Sequence, residues 1–137
     1  LVRHLARMMD YVLFDLPSSW STANRAAVVH ADLSAVVCEP DPSTVDCVKA
    51  TLATMANWGV SGNLVGLIAV NRGANPGPLT MPALRSAAQA NVIGVMPPAP
   101  DALRVATHEG VPLAILQPQH VASTALKELV DRLIRFP

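Results

Sequence analysis

Asp15 and the adjacent pair Asn71 and Arg72 are the polar residues best suited to chemistry, because each follows an apolar run. A carboxylate in the position of Asp15 can hold Mg²⁺ directly or through water. The amide of Asn71 presents a donor and an acceptor side by side, which suits the edge of a purine. Arg72 can stack on a base or reach a phosphate. Each residue also has a plainer interpretation, as a helix cap or a turn former.

A proline-rich loop, residues 97–101, follows another apolar run. Proline fixes the backbone, so Pro97 can form one wall of a ring-shaped pocket. The alternative is a rigid connector in which Asp101 caps the next helix.

Four apolar runs position these residues, and they are 11–14, 35–38, 64–70 and 91–96. Each is of strand length and nearly continuous in apolarity, which is typical of buried parallel strands. Helical patterns fill the gaps, at 20–30, from Ser43 or Thr44 to about Trp58, at 80–89, 101–108 and 123–134. The final helix carries apolar residues on one face and is expected to pack onto the sheet.

This alternation predicts an α/β fold, a mostly parallel sheet with helices on both faces, as a single domain over residues 1–137. Ligands of such sheets meet the chain at the carboxyl ends of the strands. We therefore expect Asp15 and Asn71 to face one crevice.

Composition narrows the function further. Of the 137 residues 51% are apolar and 15% charged, with a net charge of zero, which argues against disorder and offers no basic surface for nucleic acid. The apolar runs are too short for a membrane span. Cys38 and Cys47 are expected as reduced core residues, which indicates a cytoplasmic location. The histidines lack the spacing of metal ligands.

Taken in order, these segments resemble the MinD/ParA ATPases. Residues 10–17 resemble their Walker B and switch II segment, an apolar strand followed by Asp, any residue and Pro. Residues 64–72 resemble their strand ending in Asn-Arg or Asn-Lys, and residues 91–113 their closing segment with its Gly-Val-Pro turn. The resemblance implies Asp15 as catalytic and magnesium-binding residue, and Asn71, Arg72 and Pro97 around the adenine of ATP.

The resemblance extends to the CpaE-like branch found with Tad-type pilus assembly, on the region of Trp20 and residues 39–41. It implies a localisation or pilus-assembly switch that pairs with a second copy and contacts pilus-assembly or polarity proteins.

Two features depart from the family pattern. Ser19 stands where a Gly usually follows the switch II Pro, and the sequence contains neither Gly-x-x-x-x-Gly-Lys-[Ser/Thr] nor the family's Lys-Gly-Gly variant. We therefore expect a C-terminal portion of such a domain. ATP and Mg²⁺ then belong to the parent protein, bind this segment weakly, and the segment alone does not hydrolyse ATP.

In the family the phosphate-loop strand lies next to the Walker B strand. Its absence predicts a rearranged sheet, strand exchange between copies, or an upstream portion of the same protein.

Two other functions fit the same residues. A non-catalytic scaffold of this fold would bind partners through its surface helices. A phosphoacceptor receiver domain would use Asp15, but it needs an upstream acidic pair and a Lys at a late strand end, where this sequence has Asn71-Arg72 or Pro97-Pro98.

Overall fold

Three parallel strands form the centre of the molecule. The computed structural model describes residues 2–73 and 78–135. Its sheet is ordered β1 (Ser34–Cys38), β2 (Val65–Val70) and β3 (Val92–Met96). Both pairings are parallel, so the three carboxyl ends lie at one edge of the sheet. The predicted α/β fold with a parallel sheet is confirmed.

Helices connect the strands and flank them. Within the described residues they are α1 (Val2–Leu5), α2 (Thr22–His30), α3 (Pro42–Asn57), α4 (Met81–Ala88), α5 (Pro100–Glu109), α6 (Leu113–Leu116) and α7 (Val121–Ile134). The sequence did not predict α1 and α6, because an element of four residues is too short to show an apolar period. No helix in the described part of the chain is long and apolar enough to cross a membrane.

Side-chain caps mark the beginnings of α2 and α3, whereas α5 has none. The Ser21 side chain accepts a hydrogen bond from Asn24 N and so caps the start of α2. In α3 the cap is Asp41, and the expectation of Ser43 or Thr44 is wrong, because Pro42 already occupies the first helical position. Asp101 is also not a cap. It lies in the first turn of α5, where a carboxylate is favourable beside the helix dipole.

One face of the sheet packs on α3 and α4. A buried cluster joins these helices to β1 and β2, and its members are Cys38, Val45, Val48, Leu67, Ala69, Leu84 and Ala88. Leu67 and Leu84 are fully buried. Both cysteines are free, but only Cys38 is in the core; Cys47 is exposed on α3, so its assignment to the core was wrong.

The other face packs on α7. Gly94 pairs with Ile68, which alternates with Leu67 and Ala69 and so points to the opposite face. A Cβ atom at Gly94 would lie 2.7 Å from Leu129 Cδ1, so α7 lies directly on β3 there. Packing of the final helix onto the sheet is therefore confirmed, although Val130 on the same helix remains 42% exposed.

The predicted strand at residues 11–14 is not formed. These residues have no regular secondary structure and belong to no ladder, and Leu13 is 94% exposed. The physical reason is the lack of a neighbour: an extended segment is not stable without another strand to satisfy its backbone. The three pairing strands are those of the later apolar runs.

Candidate functional site

The turn after β1 is held rigidly at the carboxyl edge of the sheet. Glu39 O accepts hydrogen bonds from Thr44 Oγ1 at 2.7 Å and from Asp41 N at 2.9 Å. Asp41 in turn accepts from the backbone N and the hydroxyl of Ser43, at 2.8 and 2.6 Å. These two donors lower the pKa of the Asp41 carboxyl from its ordinary value of 3.8. The turn therefore has a defined backbone and a carboxylate that stays charged.

Asn71 joins the ends of β2 and β3. Its backbone N donates to Met96 O at 3.0 Å, which places it beside the residue preceding Pro97. Its side-chain oxygen accepts from Gly73 N at 3.1 Å, so the amide also stabilises the turn that follows. Asn71 is half-buried at the carboxyl edge of the sheet. Both interpretations of Asn71, as a turn former and as a residue that contacts the edge of a purine, require that position.

Two contacts tie the segment after β2 to the turn after β1. Arg72 Nε lies 3.4 Å from Glu39 Oε1. Farther along, Leu79 N donates to Pro40 O at 3.1 Å. Residues 74–77, between these two contacts, lie outside the described residues. The ties bring β1 and β2 together at their carboxyl ends.

A small cavity lies next to these contacts. Its volume is about 260 Å³, and it is lined by Pro40, Ala69, Asn71, Leu79, Thr80, Met81 and Val95. Ligand pockets for whole drug-sized molecules begin at about 300 Å³. The cavity therefore suits a single ring system, with apolar walls and the polar groups of Asn71 and Thr80 to orient it. The Thr80 hydroxyl already accepts from Ala83 N at 3.3 Å, as the cap of α4.

A larger opening of about 600 Å³ lies at the other end of β3. It is bounded by residues 91–93 and by the charged last turns of α7. Acidic and basic side chains are equally represented there, by Glu128, Asp131, Arg132 and Arg135. One of them, Arg132, donates to Ile93 O at 3.2 Å. Because parallel sheets bind ligands at carboxyl ends, the smaller cavity is the better candidate despite its size.

Asp15 belongs to no strand of the described sheet, so the strand pairings do not place it at this edge. It is exposed and follows the unpaired residues 11–14. The loop after it is anchored by Asn24, whose Nδ2 donates to Ser19 O at 2.6 Å. It is also anchored by Trp20, which meets Trp58 edge-on at 5.0 Å between ring centroids. Trp58 follows α3 and therefore lies towards the amino-terminal edge, so a crevice shared by Asp15 and Asn71 remains a prediction.

Sequence reasoning identified Asn71 and missed the walls around it. Leu79, Met81 and Val95 line the cavity but resemble ordinary core residues in the sequence. Pro97, predicted as a wall of the pocket, is half-buried next to Met96 but is not among the residues that line the cavity. The one sequence signal for these lining residues was their position. Val95 lies near the carboxyl end of a strand, and Met81 begins a helix that packs on the sheet.

The described residues contain no cluster of three or more His, Cys, Asp or Glu side chains able to hold a metal ion. A single carboxylate such as Asp15 fits Mg²⁺ only in the way that nucleotide sites use it, with waters and substrate phosphates completing the shell. The chain's donor set is thus compatible with a metal that arrives with a nucleotide.

Comparisons with known proteins agree with this architecture. No protein-family model matches the chain. It is 29% identical over 128 residues to an uncharacterised ATP-binding protein of Methanocaldococcus jannaschii, covering 93% of this chain and 47% of that protein. The crystal structure of the cell division ATPase MinD of Pyrococcus furiosus superposes with a TM-score of 0.83 at 18% identity, over 99% of this chain and 56% of that chain.

A MinD cell division protein of Aquifex aeolicus superposes with a TM-score of 0.67 at 21% identity, over 83% of this chain and 48% of that chain. The chain spans about half the length of each of these relatives. At such identities the likeness shows the fold, and the chain therefore has, over its own length, the α/β fold of the MinD-type ATPases.

Proposed function

We propose that this chain is the part of a MinD/ParA-like ATPase domain that holds the base of ATP. The observation that supports it most directly is the ring-sized cavity at the carboxyl edge, where Asn71 links β2 to β3 on a MinD-like scaffold. A relative over 93% of the chain is described as ATP-binding, which agrees with this assignment.

Each of the candidate site residues has a proposed role towards ATP that follows from its chemistry. Asn71 orients the base by hydrogen bonds, and Pro97, which does not line the cavity, contacts the part of the ring that extends out of it. Arg72 is 80% exposed beside Glu39, so its guanidinium is free to turn towards a phosphate at small cost. Asp15 holds Mg²⁺ once the phosphates supply the remaining ligands.

Hydrolysis is not expected of this segment by itself. The sequence has no glycine-rich, lysine-containing phosphate loop, so neither a nest of N–H groups nor a lysine neutralises the phosphates. In the parent protein the domain would act in the cytoplasm as a nucleotide-dependent switch between copies. A role in polar localisation or Tad-type pilus assembly, as in the CpaE-like branch, is part of this proposal.

Titration calorimetry of the purified chain with ATP and Mg²⁺ tests the base site. We expect weak, saturable binding, with a Kd on the order of 1 mM. Asn71→Ala should weaken it about fivefold, the equivalent of about 1 kcal/mol for one hydrogen-bonding group. Asn91→Ala is the matched control, because Asn91 is an exposed amide at the opposite end of the sheet. Equal losses in both variants would contradict the proposal.

A non-catalytic scaffold is the second candidate, and the missing phosphate loop together with Ser19 favours it. Absence of any saturable ATP binding by the chain would select the scaffold. ATP turnover that is lost in Asp15→Ala would instead overturn the expectation that this segment is not catalytic.

A further inference from the structure

Asn24 is a buried polar side chain in the first turn of α2. It is 7% exposed, whereas residues 16–20, the anchored segment, are all exposed. Its Nδ2 donates to Ser19 O at 2.6 Å and lies 3.5 Å from Pro17 O. In the described part of the chain, residues 16–20 take part in no other hydrogen bond. The carboxamide of Asn24 is therefore the polar anchor of this segment.

The chemistry of this contact requires an amide at position 24. Asn24 is the third residue of α2, after the cap Ser21. At that position a Glu or Gln side chain often reaches back to accept a hydrogen bond from the cap residue, and the helix dipole favours a negative charge. Here the side chain reaches back as a donor, to the backbone oxygen of Ser19. An ionised carboxylate has no hydrogen to donate, so only the amide can make this contact.

An aromatic contact holds the same segment. The ring of Trp20 meets that of Trp58 edge-on, with 5.0 Å between the centroids and an interplanar angle of 87°. Trp58 packs against a buried cluster formed by Val28, Met55, Val60 and Val65. Arg25, the neighbour of Asn24, places its Cζ 5.8 Å from the centroid of the Trp58 ring. The anchored segment is thus held by two adjacent contacts, one polar and one aromatic.

The backbone between the anchored carbonyl groups and Asp15 has little freedom. Pro17 follows Asp15 by two positions, and its ring fixes φ. Leu16, which precedes the proline, is largely confined to extended conformations. A contact that holds residues 17–19 therefore also restricts the position of the Asp15 carboxyl.

We propose that Asn24 is a positioning residue, whose carboxamide holds the anchored segment against Trp58 and so sets the position of Asp15. Because the segment has no other hydrogen bond within the described residues, loss of either contact should release both. The role of Asp15 towards Mg²⁺ rests on the proposed function, whereas the conformation of the segment does not. Release of the segment should reduce the affinity for ATP that depends on Mg²⁺ and leave binding of the base unchanged.

NMR of the 137-residue chain observes the carboxamide directly. We expect the side-chain NH₂ of Asn24 to exchange with solvent about tenfold more slowly than that of Asn63, an exposed amide in the turn before β2. Trp20→Ala keeps Asn24 and removes the aromatic contact, and it should fold because Trp20 is 43% exposed. The variant should lose most of the protection at Asn24. Equal exchange of the two carboxamides in the parent chain, or full protection in Trp20→Ala, would overturn the proposal.

Asn24→Asp removes the donor and keeps the size of the side chain. The near-ultraviolet circular dichroism of Trp20 and Trp58, the two tryptophans of the chain, should decrease in this variant. Backbone amide exchange of residues 16–20 should rise about tenfold. Asn63→Asp is the control and should change neither signal. An Asn24→Asp chain that folds and keeps both signals of the parent contradicts the proposal, and Trp20→Ala decides the matter if Asn24→Asp does not fold.

Calorimetric titration with ATP, with and without Mg²⁺, tests the link to Asp15. We expect Asn24→Asp to lose the additional affinity that Mg²⁺ gives the parent chain, with the Kd for ATP alone unchanged. Asn71→Ala should weaken binding under both conditions. A Mg²⁺ effect that persists in Asn24→Asp, or is absent from a parent chain that binds ATP, would overturn the positioning of Asp15. A parent chain that binds no ATP would contradict the proposed function, and the NMR and circular dichroism results would then decide whether Asn24 holds the segment.

Discussion

Arg72 Nε lies 3.4 Å from Glu39 Oε1, so one ion pair connects the residue after β1 with the second residue after β2. The two side chains are 80% and 47% exposed, and pairs of this kind contribute little to folding because water screens them. The pair therefore adds little to the stability of the sheet, and Arg72 can leave Glu39 at small cost.

A substitution at this pair should separate binding from stability. We expect Arg72→Ala to change the free energy of unfolding by no more than about 0.5 kcal/mol, measured by urea denaturation. Under the proposed function, ATP binding by the same variant should weaken, because Arg72 is proposed to face a phosphate. Arg104→Ala is the control, since Arg104 forms a similarly exposed pair with Asp101 on α5. If Arg72→Ala destabilised the chain strongly, the ion pair would have a structural role that its exposure does not indicate.

Two glycines in the sheet should differ in their tolerance of a methyl group. A Cβ at Gly66 would lie within 2.6 to 2.9 Å of three carbons of Ile93, whereas a Cβ at Gly94 would clash closely only with Leu129 Cδ1, at 2.7 Å. Leucine can turn that terminal methyl aside more easily than isoleucine can move both branches of its side chain. We expect Gly66→Ala to cost about 2–3 kcal/mol and Gly94→Ala about 1 kcal/mol.

Chemical denaturation of the two variants measures this difference, and each serves as the control for the other. A larger loss of stability for Gly94→Ala would mean that Leu129 of α7 can move aside less easily than Ile93 of β3.

Asp41 should make the stability of the chain depend on acid. Its pKa is lowered in the folded chain by hydrogen bonds from the Ser43 hydroxyl and backbone N, relative to 3.8. The stabilisation is therefore complete above the unfolded pKa and is lost as the pH falls through the lower folded pKa. Asp41→Asn keeps a capping side chain but removes the charge.

Thermal unfolding from pH 7 to pH 2 tests this dependence. We expect the variant to have a lower Tm than the parent at neutral pH, and the two Tm values to converge below pH 3.8. A constant difference across the whole range would show that the carboxylate charge of Asp41 does not contribute.

The sequence by itself determined the class of the fold and one edge of the site. Continuous apolar runs ending at Cys38, Val70 and Met96 are parallel strands, and they place Asn71 where such sheets bind ligands. These features depend on local periodicity and on the direction of the chain, both of which are visible along a sequence.

Only the tertiary structure decided the rest. The apolar run before Asp15 looks like the others, yet it pairs with no strand in residues 2–73 and 78–135, because a strand exists only if another backbone lies beside it. The cavity beside Asn71 also depends on contacts between distant segments, such as Leu79 with Pro40, which no local pattern specifies.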